Sequence, residues 1–226
     1  MNIFKNYKKR IMTTKIEIKS ILGDVIFTWE KEGNTIKETV IEFLKSKSGA
    51  LIDGVDLSGL DLSGISFDNS SFYNSSFYNS SFDNSSFYNS SFDNSSFDNS
   101  RFYNSRFDSA TVKQIRENSQ LDLFDAYKSD FMYKCLIRKN EVAGLKEALL
   151  KGNIDGSAYE GNCCCFVGTL AKVAGCNYKN LEGITPNSHS PVEKWFMGIS
   201  AGDTPENNEL SKLTVEWIDE FIKLIK

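Results

Sequence analysis

The chain has 226 residues, of which 40% are hydrophobic, and its formal net charge is −4. This hydrophobic content can fill one or two modest cores, which excludes a fully disordered chain. The acidic balance argues against direct nucleic-acid binding, because phosphate contacts need a basic face. No stretch approaches the roughly 18 apolar residues of a membrane span, so we expect no membrane binding through such a segment.

Residues 1–12 form a basic extension ahead of the first predicted element. The extension contains Lys5, Lys8, Lys9 and Arg10. It has no continuous apolar run of the length found in secretory signals, so we do not interpret it as one.

A ββα unit is predicted for residues 13–49. Apolar and polar residues alternate from Lys15 to Phe27 around a Gly23-Asp24 turn, which is typical of a β-hairpin. The stretch from Thr35 to Lys47 has the apolar spacing of an amphipathic helix. Because this unit leads directly into the repeat that follows, we expect it to cover one end of that repeat.

Residues 50–113 repeat with a period of five. Glycine or asparagine, which tolerate positive φ, occupies every fifth position from Gly54 to Asn104 and predicts a tight turn there. An apolar residue stands two positions before each turn. These central residues are Ile52, Leu57, Leu62, Phe67, Phe72, Phe77, Phe82, Phe87, Phe92, Phe97, Phe102 and Phe107, with Val112 last in phase. A period of five fits neither a helix nor an ordinary strand, so we expect a coil with four repeats per circuit and these side chains on its axis.

A second inward position lies two residues before each central residue. It is filled by Ala50, Val55, Leu60 and Ile65, and then by serine from Ser70 to Ser105. The serine hydroxyls should find backbone partners, because an unpaired buried polar group costs on the order of 1–3 kcal/mol.

The repeat resembles the pentapeptide-repeat family, whose members form right-handed quadrilateral β-helices. The units 55–59 and 60–64 match the family consensus Ala-(Asp/Asn)-Leu-X-X closely, and the later Ser-Ser-Phe-(Asp/Tyr)-Asn units are a Phe-centred version. A disordered low-complexity tract is the alternative, but disorder gives no reason for phenylalanine at every fifth site. The open ends of so short a stack should not face water, so the flanking segments are expected to cap it. We therefore predict an α+β fold in which a short right-handed quadrilateral β-helix of about three coils is capped by the ββα unit and by an α-rich C-terminal domain, residues 114–226.

The residue after each central residue is predicted to face outward, and residues twenty apart should then stack in four ladders. In these ladders no aspartate stacks directly on another, and each tyrosine lies above or below an aspartate, which avoids direct contact between like charges. The predicted binding residues of the repeat are Tyr73, Tyr78, Tyr88, Tyr103, Asp83, Asp93 and Asp98.

The family resemblance also raises DNA mimicry, since some members are thought to occupy the DNA site of topoisomerases. Eight aspartates and two arginines between residues 50 and 112 give this segment a formal charge of −6. A total of this size is comparable with that of DNA of the same length. However, the acids are spread over all four ladders, and so short a coil would need to form a homo-oligomer end to end.

The C-terminal domain is predicted to be mainly helical. Helices are expected over Phe124 to Lys139, over Glu141 to Lys151, after a turn that begins at Tyr159, and over Pro191 to Met197. A last amphipathic helix is expected to begin with Thr204 as its N-cap and Pro205 at its first position.

Three segments of this domain look like a C-terminal domain of phage and prophage proteins that also begin with a ββα unit and pentapeptides. They are Tyr159 to Thr169, Pro191 to Ile199 and Gly202 to Asn208. The resemblance implies a phage context but no reaction.

Five cysteines, three of them consecutive, make a poor disulfide framework and favour a reducing cytoplasm, that of the host if the chain is phage-encoded. A thiol at a helix N-terminus can be nucleophilic, and zinc ligation is conceivable for a set of four residues. These are Cys163, Cys165, Cys176 and His189. We favour the simpler interpretation that the cysteines are buried packing residues, and we expect no catalytic residue, metal or cofactor.

The leading hypothesis is a non-enzymatic phage-type protein that binds and inhibits a host macromolecule, such as a defence or DNA-handling factor. A second hypothesis is a small-ligand or nucleotide binder, or an enzyme, with its pocket in the C-terminal domain. The residues expected around that pocket are Tyr159, Glu160, Trp195 and Asp203, beside the two cysteines Cys163 and Cys165. The sequence is also compatible with a DNA-mimic topoisomerase modulator and with a virion structural component.

Overall fold

A computed structural model describes residues 12–118 and 124–226 of the chain. The fold is mixed, with helices and short strands. Apart from Met12, the predicted basic extension lies outside the described residues. Within them, no helix is both long and apolar enough to cross a membrane.

The predicted hairpin and helix are confirmed at the start of the described chain. Strands β1 (Thr13–Ser20) and β2 (Val25–Glu32) pair antiparallel. Helix α1 (Ile36–Ser46) follows. Thr35 caps α1 through a reciprocal pair of hydrogen bonds with Glu38, a capping box that satisfies two otherwise unpaired N–H groups.

Six short strands lie in the repeat and pair with the chain twenty residues away. They are β3 (Leu51–Asp53), β4 (Val55–Asp56), β5 (Ser71–Tyr73), β6 (Ser86–Phe87), β7 (Ser91–Asp93) and β8 (Arg106–Phe107). Leu51 pairs in parallel with Ser71, and Ser71 pairs with Ser91. Isolated parallel bridges continue the same spacing, for example from Asp61 to Ser81 and on to Arg101. Chain segments twenty residues apart, which is four repeats, therefore lie side by side, and each such interval is called a circuit.

The central residues of the repeat form its core, as predicted. All of them, from Ile52 to Phe107, are at most 4% exposed. Phenylalanines twenty residues apart stack almost parallel, with centroid separations such as 4.7 Å between Phe77 and Phe97. Neighbouring columns meet mainly edge to face, an arrangement that aromatic quadrupoles favour.

The predicted burial of the second inward position is confirmed with three exceptions. Val55, Ile65 and the serines from Ser75 to Ser105 are buried, but Ala50 is exposed and Leu60 and Ser70 are only half-buried. The prediction was wrong at Ala50, which directly follows the turn after α1. The buried hydroxyls find backbone partners: Ser80 donates to the carbonyl of Leu57 at 2.7 Å, and Ser85 donates to that of Leu62.

The ββα unit packs against the first circuit. Strand β1 pairs antiparallel with β4, and Ile18, Val40 and Phe43 belong to the same hydrophobic core as Ile52 and Val55. This contact supplies apolar cover for residues that have no preceding circuit.

The last circuit ends on a helix that was not predicted. Helix α2 (Ser109–Glu117) begins two residues after β8, with Asp108 as its N-cap. Val112, expected to be the last repeat position, is buried as predicted but lies on α2.

The predicted helices of the C-terminal part are present. They are α3 (Asp125–Ile137), α4 (Val142–Leu150), α5 (Phe166–Ala174), α6 (Pro191–Phe196) and α7 (Glu209–Leu224), with a short 3₁₀ turn at Tyr178–Asn180. The predicted start of α7 was wrong. Asn208, not Thr204, is its N-cap and accepts a hydrogen bond from the backbone of Ser211, while Pro205 lies in the preceding turn.

Candidate binding surface

Four tyrosine side chains project from the repeat at the predicted outward positions. Tyr73, Tyr78, Tyr88 and Tyr103 are between 42% and 54% exposed. The backbone beside each tyrosine is hydrogen-bonded to a neighbouring circuit. Next to Tyr78, for example, the amide of Asn79 donates to the carbonyl of Asp98. The backbone under the tyrosines is thus fixed, and we expect little backbone entropy to be lost when they make contacts.

The aspartates between these tyrosines are engaged within the repeat. Asp68 accepts hydrogen bonds from the hydroxyl of Ser86 at 2.6 Å and from the amide of Tyr88 at 2.7 Å. Asp83 accepts from the amide of Tyr103 at 3.1 Å and forms an ion pair with Arg101 at 2.9 Å. These carboxylates connect one circuit to the next, and their charges are partly balanced inside the molecule.

Asp93 and Asp98, the remaining acidic residues predicted to bind, lie on the last circuit. Asp93 accepts hydrogen bonds from Gln114 on α2 at 2.9 Å and from Ser91 at 3.3 Å. The amide of Asp98 donates to the hydroxyl of Ser96 at 3.5 Å.

The turn positions of the repeat stack in columns, and all eight asparagines there have positive φ, between 49° and 61°. This confirms the predicted use of glycine and asparagine for left-handed turns. In three columns an asparagine amide donates to the amide oxygen of the asparagine one circuit below. The bonded pairs are Asn94 to Asn74, Asn89 to Asn69 and Asn104 to Asn84.

A shallow cleft of about 240 Å³ lies in the C-terminal part and includes two of the predicted binding residues. Tyr159 stacks on Tyr178 with a centroid separation of 4.9 Å. The Tyr159 hydroxyl donates to Glu193, and Glu160 accepts from Asn177 at 3.0 Å. Burial and the neighbouring Glu193 carboxylate raise the pKa of Tyr159. This phenol therefore remains neutral.

Two residues predicted to bind ligand have structural positions instead. Trp195 is only 1% exposed and donates its indole N–H to the hydroxyl of Thr214 at 3.0 Å, so it is a core residue. Asp203 accepts from the amide of Ser200 at 2.8 Å and from Asn208 at 2.9 Å, which fixes the turn before α7. Neither residue lines the cleft at Tyr159. The sequence could not separate these roles, because fixing a turn and binding a ligand call for the same residue types.

Three of the five cysteines, Cys135, Cys164 and Cys165, are buried. Burial raises the pKa of the Cys165 thiol to about 11, although Cys165 is the N-cap of α5. Burial also raises the pKa of Cys164, and that of Cys135 to about 12. Thiols with raised pKa are poor nucleophiles at neutral pH. Among the described residues, no three His, Cys, Asp or Glu side chains are grouped to hold a metal, so Cys163, Cys176 and His189 do not form a centre with Cys165.

The sequence did not reveal how the last circuit is closed. Tyr127, from α3, has its hydroxyl within 2.6 Å of the amide nitrogen of Ser105 and of the carbonyl oxygen of Phe102. Thr111, from α2, donates to the carbonyls of Phe87 and Ser90. Neither contact has a periodic signal, because Tyr127 lies beyond the repeat and Thr111 replaces the serine of its last unit.

Comparison with known proteins supports the repeat and nothing beyond it. No curated protein and no solved structure matches the chain. Residues 48–113 match the family model described as pentapeptide repeats (9 copies). This segment of the chain is therefore a member of the pentapeptide-repeat family.

Proposed function

We propose that the chain is a non-catalytic, phage-type interaction protein whose repeat is a right-handed, four-sided β-helix that presents tyrosines to a protein partner. The four exposed tyrosines carry the proposal. Tyrosine supplies a large amphipathic contact area at a low cost in side-chain entropy, and aromatic residues are enriched at interface cores.

The four-sided geometry is supported by the parallel pairing of residues twenty apart and by a left-handed turn at every fifth residue. The right-handed sense rests on the family resemblance. Such a helix would place Tyr73, Tyr78 and Tyr88 on three different sides of one circuit, so that a partner could engage the repeat from more than one direction.

The expected partner is a host defence or DNA-handling factor in the host cytoplasm, which this protein would inhibit by occupying a surface. The resemblance of the C-terminal segments to phage proteins supports this context. Imitation of DNA is less well supported, because Asp68 and Asp83 are bonded to the next circuit and Arg101 lies beside Asp83. The flanking units also cover both ends of the repeat, where an end-to-end dimer would form.

Affinity capture from bacterial lysate tests this proposal. The bait is the full chain, and the comparison bait carries serine at residues 73, 78, 88 and 103, the residue that Ser58 and Ser63 already supply at this repeat position. We expect a partner retained by the wild type and lost from the serine variant, with the interaction then reproduced between purified proteins. A wild-type bait that retains no partner, or equal retention by both folded baits, would contradict the proposal.

A further inference from the structure

We propose that the turn column formed by Gly59, Asn79 and Asn99 is a binding groove for an uncharged oligosaccharide. This inference does not depend on the tyrosine-mediated function proposed above. The column lines a groove of about 400 Å³ on the outer surface of the repeat. Small-ligand sites in proteins commonly have volumes of about 300–1,000 Å³.

This column differs from the remaining three in its amide groups. Asn99 donates at 3.0 Å to the hydroxyl of Tyr78, not to Asn79. Within the repeat, all of which the structure describes, Asn79–Asn99 is thus the one stacked asparagine pair without an amide–amide hydrogen bond. The side-chain amide of Asn79 is left with its donor and acceptor groups available to a ligand.

The floor and rim of the groove have the chemistry of a sugar site. Leu60, only half-buried, provides an apolar floor. The rim carries Asp61, Asn79 and Arg101. Asp61 already accepts from Ser63 and pairs with Lys37. Arg101 donates to Asp83 and Ser81, so its remaining N–H groups and the amide of Asn79 are the groups open to a ligand. Sugar hydroxyls both donate and accept, and the C–H face of a pyranose ring can lie against an apolar surface. The ring of Tyr78, 50% exposed, stands beside Asn99 and can extend that surface.

The charges around the groove favour an uncharged ligand. Lys37 is 3.3 Å from Asp61 and also donates to the carbonyl of Ser63 at 2.9 Å. Arg101 is paired with Asp83. Two cations and two anions therefore balance, so neither a polyanion nor a basic peptide would gain from net charge.

The chain itself supplies matched substitutions for a test. Asn79→Gly removes the amide while keeping the left-handed turn, as Gly59 does in the circuit below. Asn84→Gly is the control, because Asn84 belongs to a column with an intact amide pair and does not line the groove. Arg101→Ser restores the serine found at this position in most repeats, and Arg106→Ser is its control.

The experiment is an NMR titration of the full chain with hexasaccharides of glucose and of N-acetylglucosamine, and with an uncharged pentapeptide. We expect saturable shifts of the Asn79 and Asn99 side-chain amide signals with at least one sugar. Affinity should fall about tenfold or more in Asn79→Gly and Arg101→Ser and remain unchanged in both controls. The proposal is overturned by the absence of saturable shifts with either sugar, by a response to the peptide alone, or by equal affinity in Asn79→Gly and Asn84→Gly.

Discussion

The hydroxyl of Tyr127 lies 2.6 Å from the backbone nitrogen of Ser105, where the serine of a further circuit would place its own hydroxyl. Within the repeat, the amide of Ser85 donates in the same way to the hydroxyl of Ser105, twenty residues on. A tyrosine from α3 thus continues the internal hydrogen-bond ladder and closes the open end. Unpaired backbone groups at a strand edge would otherwise invite association.

Removal of this hydroxyl should destabilise the fold. In Tyr127→Phe the carbonyl of Ser105 loses the hydroxyl, while the amide of Ser105 and the carbonyl of Phe102 keep only the 3.1 Å hydrogen bond between them. We expect the free energy of unfolding to fall by about 1–3 kcal/mol, measured by urea denaturation. Tyr133→Phe is the control, because Tyr133 is 64% exposed, and it should match the wild type. Equal stability of the two variants would show that Tyr127 does not close the ladder.

The inward and outward positions can be distinguished by substitution. Phe82 is fully buried among other rings, so Phe82→Asp would bury an unpaired charge and should unfold the repeat. Tyr78→Ser, at an outward position, should leave the thermal transition within a few degrees of the wild type. Circular dichroism on heating provides the measurement. A folded Phe82→Asp protein would show that the register is wrong.

The circuit length predicts which deletions the fold tolerates. Deletion of residues 76–95 removes four repeats, joins Ser75 to Ser96 and keeps every later residue above the same column. We expect that variant to fold with a cooperative transition. Deletion of residues 76–80 removes one repeat and moves α2 and Tyr127 to the wrong column, so it should be much less stable. If the five-residue deletion is the more stable of the two, the chain does not close its circuits every twenty residues.

The buried thiol of Cys165 should make the fold less stable in alkali. The pKa of Cys165 is raised to about 11 by burial, above an unfolded value of about 8.5. A group of this kind stabilises the fold fully below its unfolded pKa, and the contribution is lost as the pH rises towards the folded value. We therefore expect the free energy of unfolding to fall between about pH 9 and pH 11, and to fall less in Cys165→Ala. A pH dependence identical in both proteins would refute this role for the thiol.

Much of the repeat could be predicted because the same residue types recur at every fifth position. Phenylalanine at every fifth residue indicated the core, and asparagine after it indicated the turns. The contacts that close the repeat could not be predicted, because Tyr127 lies beyond the repeat and Thr111 departs from its pattern. Both act through the fold of α2 and α3. Trp195 shows the same limit in the C-terminal part, since a tryptophan in an isolated sequence does not reveal whether it lies in a core or in a pocket.

Photo-crosslinking from the repeat surface tests the central claim most directly. A benzophenone amino acid replaces Tyr78 in one full-length protein and the similarly accessible Tyr133, on α3, in another. The proposed function predicts that, in bacterial lysate, residue 78 becomes covalently joined to one defined host protein and residue 133 does not. Crosslinking of the same host protein from residue 133 alone would contradict it and would move the binding surface to the C-terminal part of the chain.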